Sequence, residues 1–143
     1  MKDLKSIKVK DVMVRGVLII PENASVSQAV RVMADNKVSG LAVTSSQEGL
    51  IGVLSETDVV KVFGEDLIKV KVKDIMTKGV IAIDKEEPLE NACQIMRQKK
   101  IHRLLIQEEV KGVYGKEGET KKFPAGLLSI SDIVRVLAES QKG

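Results

Sequence analysis

Val9-Lys10-Asp11-Val12-Met13 returns as Val72-Lys73-Asp74-Ile75-Met76, an offset of 74 − 11 = 63 residues. The same offset carries Gly16-Val17 onto Gly79-Val80, Ala29 onto Ala92, Met33 onto Met96 and Leu41 onto Leu104. Further on, Gly52-Val53-Leu54-Ser55-Glu56-Thr57-Asp58-Val59-Val60 matches Gly126-Leu127-Leu128-Ser129-Ile130-Ser131-Asp132-Ile133-Val134. There the offset is 132 − 58 = 74, so the second copy carries 74 − 63 = 11 extra residues between Ile106 and Gly126. Two long matches in the same order identify an internal duplication, and a repeat of this length is one supersecondary unit.

Each copy has the same pattern of elements. A short apolar run (17–20, 80–83) between turn-like residues predicts a strand. A helix follows: Ser25 suits its N-cap, and Val26, Ala29, Val30 and Met33 recur at helical spacing. In the second copy Pro88 opens the helix, and Leu89, Ala92, Cys93 and Met96 line one face. Two strands come next, 41–44 with 50–54 and 103–107 with 125–128, and a last helix is predicted to start near Thr57 or Ser131. The unit is β-α-β-β-α, an α/β (α+β) class. It has too small a sheet to stand alone, so two copies are expected to pack sheet to sheet about a pseudo-twofold axis. The first repeat spans 1–70 and the second 71–143. The insertion at about 108–124 reads either as a ribbon extending the hairpin or as a loop without regular structure.

Composition agrees with this. The chain has 143 residues, with no Trp, one Tyr and two Phe. An aliphatic core of this kind suits sheets against helices and offers no aromatic platform for single-stranded nucleic acid. Twenty-three basic and 20 acidic residues are interspersed, which is the pattern of a solvated surface. A Lys-rich stretch (Lys111, Lys116, Lys121, Lys122) is the one feature that would suit a basic docking face. The single Cys93 lies in a helical pattern and reads as a structural thiol, with no disulfide partner. No apolar run is long enough to span a bilayer and no signal peptide opens the chain, so no membrane association and a cytoplasmic location are expected. The lone His, the lone Cys and the repeat-paired Asp58 and Asp132 form no recognisable triad or metal set, which points away from an enzyme and from a bound metal.

From about Val9 to Leu137 the chain resembles tandem cystathionine-β-synthase (CBS) domains, also called Bateman modules. The resemblance rests on Asp-hydrophobic-Met at each repeat start and on Gly-hydrophobic-hydrophobic-Ser-x-Ser/Thr-Asp-hydrophobic at each repeat end. It implies a regulatory module that binds AMP, ADP or ATP in a cleft between repeats, or alternatively S-adenosylmethionine or another adenosyl ligand, with no resident cofactor. It also implies pairing of two chains into a four-repeat disc. With no room here for a catalytic or membrane domain, the expected output is to a separate regulated protein. A ligand-independent scaffold or nucleic-acid binder is the remaining alternative.

Asp58 and Asp132 carry the first site expectation. One carboxylate can accept a hydrogen bond from each of two vicinal ribose hydroxyls; equally, an Asp here can simply cap its helix. Thr57, Ser131, Ser55 and Ser129 share that double reading as phosphate or ribose contacts or as caps. In similar modules a His-Arg pair at the strand entry faces the phosphates, which assigns that role to His102 and Arg103; Arg stays charged and makes two-pronged contacts. The first repeat departs here, with Ser39 and Gly40 in their place. Following the family pattern, Asp58 would share a site with Thr77, Val80, Ile81, His102 and Arg103. Asp132 would share the other with Val14, Val17, Leu18, Val38 and Ser39. The apolar members would hold adenine, or else serve ordinary packing. Gly16 and Gly79 read as positions needing positive φ.

Overall fold

A helical turn at Leu4–Ser6 precedes the repeated motif, which forms a helical turn at Val9–Asp11 in the first repeat and helix α3, Val72–Ile75, in the second. The computed structural model describes residues 3–79, 81–111 and 120–141. The described strands are β1 (Val14–Arg15), β2 (Ile19–Pro21), β3 (Gly40–Ser45), β4 (Gly49–Ser55), β5 (Thr77–Lys78), β6 (Ala82–Asp84), β7 (Arg103–Lys111) and β8 (Thr120–Ser129). The remaining helices are α1 (Val26–Asn36), α2 (Glu56–Val60), α4 (Leu89–Lys99) and α5 (Ile130–Ser140).

The chain divides into two compact units, 17–80 and 1–16 with 81–143. These boundaries differ from those of the sequence repeats. Each repeat start leaves its own repeat and joins the body of the other. In the 17–80 unit, Val72 N–H donates to the Ala24 carbonyl at 2.9 Å and Lys73 N–H to Glu22 at 2.9 Å. In the other unit, Val9 N–H donates to Glu87 at 2.9 Å and Lys10 N–H to Lys85 at 3.0 Å. The side chains follow: Val72 is fully buried in the core of Ile20, Ala29, Met33, Leu41, Val43 and Leu54. Val9, with Ile7 and Met13, is buried against Ile83, Leu89, Ala92, Met96 and Leu104.

Within each unit the strand order is the same. β2 runs parallel to β3, β3 antiparallel to β4, and β4 antiparallel to β5. β6 runs parallel to β7, β7 antiparallel to β8, and β8 antiparallel to β1. The predicted first strands are displaced. Where the apolar runs predict strands over 17–20 and 80–83, the described strands start at Ile19 and Ala82, opposite Ala42 and Leu105. Gly16 and Gly79, at φ 88° and 69°, first turn the chain. The hairpin strands exceed the prediction: β7 and β8 stay paired out to Lys111 opposite Thr120. This favours the ribbon reading of the insertion as far as those residues; the remainder, 112–119, lies outside the described residues.

Helix α1 is placed as its spacing predicts. Ser25 Oγ accepts from Gln28 N–H at 3.1 Å, and Val26, Ala29 and Met33 are buried. In α4 the buried residues are Leu89, Ala92 and Met96, with Pro88 as N-cap. Both helices end on a lysine in the left-handed region, Lys37 and Lys100, each at φ 55°. Glycine is the usual occupant of that conformation. Cys93 is half-buried beside the core, and burial pushes its thiol above the ordinary range, which makes it a poor nucleophile.

Candidate functional site

Strand β4 runs extended into Ser55 (φ −111°, ψ 166°), and α2 starts at the next residue. Ser55 Oγ accepts from Asp58 N–H at 3.3 Å and donates to Asp58 Oδ2 at 3.0 Å, while Ser55 N–H donates to the same oxygen at 2.9 Å. This reciprocal capping box satisfies two of the donors that every helix start leaves open. It also holds a carboxylate that is only 5% exposed. The second repeat builds the same device. Ser129 N–H and Oγ each donate to Asp132 Oδ2 at 2.9 Å, and Asp132 N–H donates back at 3.2 Å.

The helices start at Glu56 and Ile130, one residue before Thr57 and Ser131 and so near them as expected, and the caps are Ser55 and Ser129. Thr57 and Ser131 are exposed in the first turns. The capping reading of both aspartates is realised in the structure. It occupies Oδ2 and leaves Oδ1 to other partners.

Those partners differ. In the 17–80 unit the Thr77 hydroxyl lies 3.2 Å from Asp58 Oδ1 and 3.3 Å from Oδ2, and donates to the carboxylate. Strand β5 positions it by pairing Thr77 with Val53. In the other unit Val14 takes the equivalent register, opposite Leu127, and has no hydroxyl. Asp132 Oδ1 instead faces the mostly exposed Arg135 guanidinium at 3.4 Å. Sequence reading grouped Thr77 with Asp58 without seeing this contact. It missed Arg135 altogether, although the i, i+3 spacing on one helix was there to be read.

The other expected residues fall as follows. His102 is exposed, and its carbonyl accepts from Ile130 N–H at 3.0 Å, which ties the entry of β7 to the start of α5. Arg103 is exposed and opens β7 opposite Ser129. Ser39 is the counterpart of His102: its carbonyl accepts from Glu56 N–H at 3.1 Å. Val14, Leu18 and Ile81 are exposed apolar side chains. Val17 is half-buried, and Val38 packs against its unit's core, so packing is part of Val38's role. Val80 lies outside the described residues. Of the set expected around Asp58, Asp58 and Thr77 belong to the 17–80 unit, and Ile81, His102 and Arg103 to the other. Of the set expected around Asp132, Val14 shares its unit, and Val17, Leu18, Val38 and Ser39 belong to the 17–80 unit.

A groove of about 560 Å³ runs between α1 and α2, lined in part by Lys37, Val38, Ser39, Glu56 and Val59. It reaches two of the expected residues but not Asp58. Among the described residues, no group of three or more His, Cys, Asp or Glu could hold a metal ion, and no helix is long and apolar enough to cross a membrane.

A family model described as CBS domain matches residues 9–65 and 72–139. Inosine-5′-monophosphate dehydrogenase of Methanocaldococcus jannaschii is 31% identical over 108 residues, covering 76% of this chain; the chain spans 21% of that enzyme's length. A hexameric CBS-CP12 protein from bloom-forming cyanobacteria superposes with a TM-score of 0.68 at 26% identity, covering 96% of this chain and 72% of that one. The CBS domain pair of protein MJ0100, solved with 5′-methylthioadenosine and S-adenosylmethionine, has the same fold: TM-score 0.68, 19% identity, coverage 94% and 98%.

Proposed function

Since the chain belongs to the CBS-domain family, we propose that it is a regulatory module that binds AMP, ADP or ATP and passes the signal to a separate protein, rather than an enzyme. The observation that carries this reading is the buried Asp58 carboxylate. Its capping box orients it and, among the described residues, its Oδ1 faces the hydroxyl of an exposed threonine. A ribose hydroxyl can join or replace such a neutral partner at little cost, whereas a carboxylate locked to a buried cation would resist it. Asp132 repeats the device. His102 and Arg103, exposed at the entry of β7, supply the donors a phosphate needs, and Arg does so with a planar fork. The exposed Val14, Leu18 and Ile81 are apolar surfaces suited to a base.

A second reading has its own support. Ser39 and Gly40, which replace the His-Arg pair in the first repeat, bring no positive charge. An adenosyl ligand without phosphates, such as S-adenosylmethionine, would suit that end better than ATP. We also infer that two copies associate. Helix α5 exposes Ile130, Val134 and Leu137 at 41%, 57% and 45%, an i, i+4, i+7 stripe on one face.

A thermal-shift screen of AMP, ADP, ATP and S-adenosylmethionine tests the reading, with light scattering of the chain with and without the hit. A ligand at one hundred times its Kd adds about 2.7 kcal/mol, or roughly 10 °C for a domain of this size. Asp58→Ala and Arg103→Ala, made separately, should each remove most of that shift. No shift with any of the four ligands would sink the proposal, and a shift with S-adenosylmethionine alone would favour the second reading.

A further inference from the structure

The turn between β3 and β4 lies at the Gly49 end of β4, opposite the end where that strand runs into Ser55 and Asp58. A pocket of about 550 Å³ opens beside this turn, lined in part by Glu22, Asn23, Ser45, Ile51, Lys73 and Met76. That volume lies within the range of small-molecule sites. The same place in the other unit is bridged by ion pairs. Glu86 takes Lys8 and Lys10 at 3.2 and 2.8 Å, and Lys85 takes Glu108 at 2.8 Å. The repeat offset puts Asn23 in place of Glu86 (86 − 63), Glu22 in place of Lys85 (85 − 63) and Ser45 in place of Glu108 (108 − 63). It keeps Lys10 as Lys73 (10 + 63).

These exchanges leave charges of both signs around an open space. Lys73 lacks the carboxylate that Lys10 holds, and Glu22 faces a serine where Lys85 faces a glutamate. Among the described residues, neither the Lys73 nor the Glu22 side chain forms an ion pair. Lys71, the counterpart of Lys8 (8 + 63), turns instead to the Asn23 carbonyl at 3.4 Å. Glu48 and Lys78 add one more charge of each sign to the lining. A polyanion would meet Glu22 and Glu48, and a polyamine would meet Lys73 and Lys78; like charges brought together cost binding energy. A molecule carrying one charge of each sign meets neither penalty. The half-buried Ile51 and Met76 offer apolar surface beside those charges. We propose that this pocket binds a small zwitterion, a free amino acid or short peptide with an apolar side chain. Its carboxylate sits on Lys73, as that of Glu86 sits on Lys10, and its ammonium sits on Glu22. This goes beyond the nucleotide reading and uses none of its residues.

The test is calorimetric titration of the whole chain with leucine, methionine and leucyl-leucine. Isocaproate and isoamylamine, which are leucine without its ammonium and leucine without its carboxylate, serve as one-ended probes. At least one of the three zwitterions should bind; a preference for leucine or methionine marks a free amino acid, and a preference for leucyl-leucine a peptide. Each one-ended probe should bind about tenfold more weakly than the best zwitterion, the loss expected for one charged contact. Lys73→Met should weaken the zwitterion by about the same factor. Asn23→Glu rebuilds the Glu86 arrangement against Lys73. It should weaken binding by about tenfold or more while the melting temperature holds or rises, which separates a filled site from a damaged fold. Binding by none of the three zwitterions would overturn the proposal. So would a one-ended probe that binds as tightly as they do, or an Asn23→Glu chain that binds them like the wild type.

Discussion

Asp58 and Asp132 stand at the same place in the two repeats, and both carboxylates hold the same capping serine through Oδ2 while their further partners differ. Oδ2 takes the N–H and hydroxyl of the serine three residues back in each case. Oδ1 takes a threonine hydroxyl in one and a solvent-facing guanidinium in the other. The rim of each unit shows the same contrast. Lys10 and Lys8 reach Glu86 at 2.8 and 3.2 Å, and Lys85 reaches Glu108 at 2.8 Å. The repeat equivalents of Glu86, Lys85 and Glu108 are Asn23, Glu22 and Ser45 (86 − 63, 85 − 63, 108 − 63), which cannot form those pairs. Duplication has kept the backbone frame and whatever lies within one turn of it. The side chains laid against that frame have diverged, and they are what makes the two ends chemically unequal.

The backbone frame is the most sensitive place to probe. An added Cβ at Gly52 would sit 2.9 Å from both Met76 Sδ and the Thr77 carbonyl oxygen, whereas at Gly126 it would press closer still on the Val14 carbonyl oxygen. Overpacking costs about 1–3 kcal/mol and occasionally more. Gly126→Ala should reach about 3 kcal/mol or above and Gly52→Ala about 1–2 kcal/mol, read from urea unfolding. Equal costs would mean that the two frames are equally tight. The caps come next. Ser129→Ala should cost about 1 kcal/mol, and Ser55→Ala less, because the Thr77 hydroxyl goes on holding its carboxylate. Denaturation midpoints that fall by the same amount would show that Thr77 carries none of that load.

The smallest effect lies on the rim. Lys10 first and Lys8 second hold the Glu86 carboxyl below its ordinary value of 4.5. A depressed folded-state value stabilises the protein above the unfolded value, and that contribution is lost as pH falls through the folded one. The pairs are exposed, so the contribution is small and screened by salt. Glu86→Asn, which copies Asn23, should lower Tm slightly at neutral pH and by nothing once acid has protonated the wild-type carboxyl. A difference in Tm that stays constant across that range would remove the ion pairs from the account.

Much was legible in the residues alone. The duplication, the α1 and α4 faces and the positive φ of Gly16 and Gly79 follow from spacing and steric limits that act within a few residues. A Ser-x-x-Asp box is equally local, yet Ser55 and Thr57 offer two hydroxyls within three residues. Only the length of β4, which stays extended into Ser55, decided which one caps. The first strands start two residues later and end one residue later than the apolar runs predict, for a related reason: pairing begins where a partner strand is available, and an apolar run does not contain its partner. The sequence by itself determined the repeat, the class of fold and the two aspartates, because each depends on periodicity or on contacts inside one turn. The tertiary structure alone decided that each repeat start completes the core of the other repeat, and that a hydroxyl 19 residues along the chain settles on Asp58. Those contacts depend on how distant segments come together, and no local pattern encodes that.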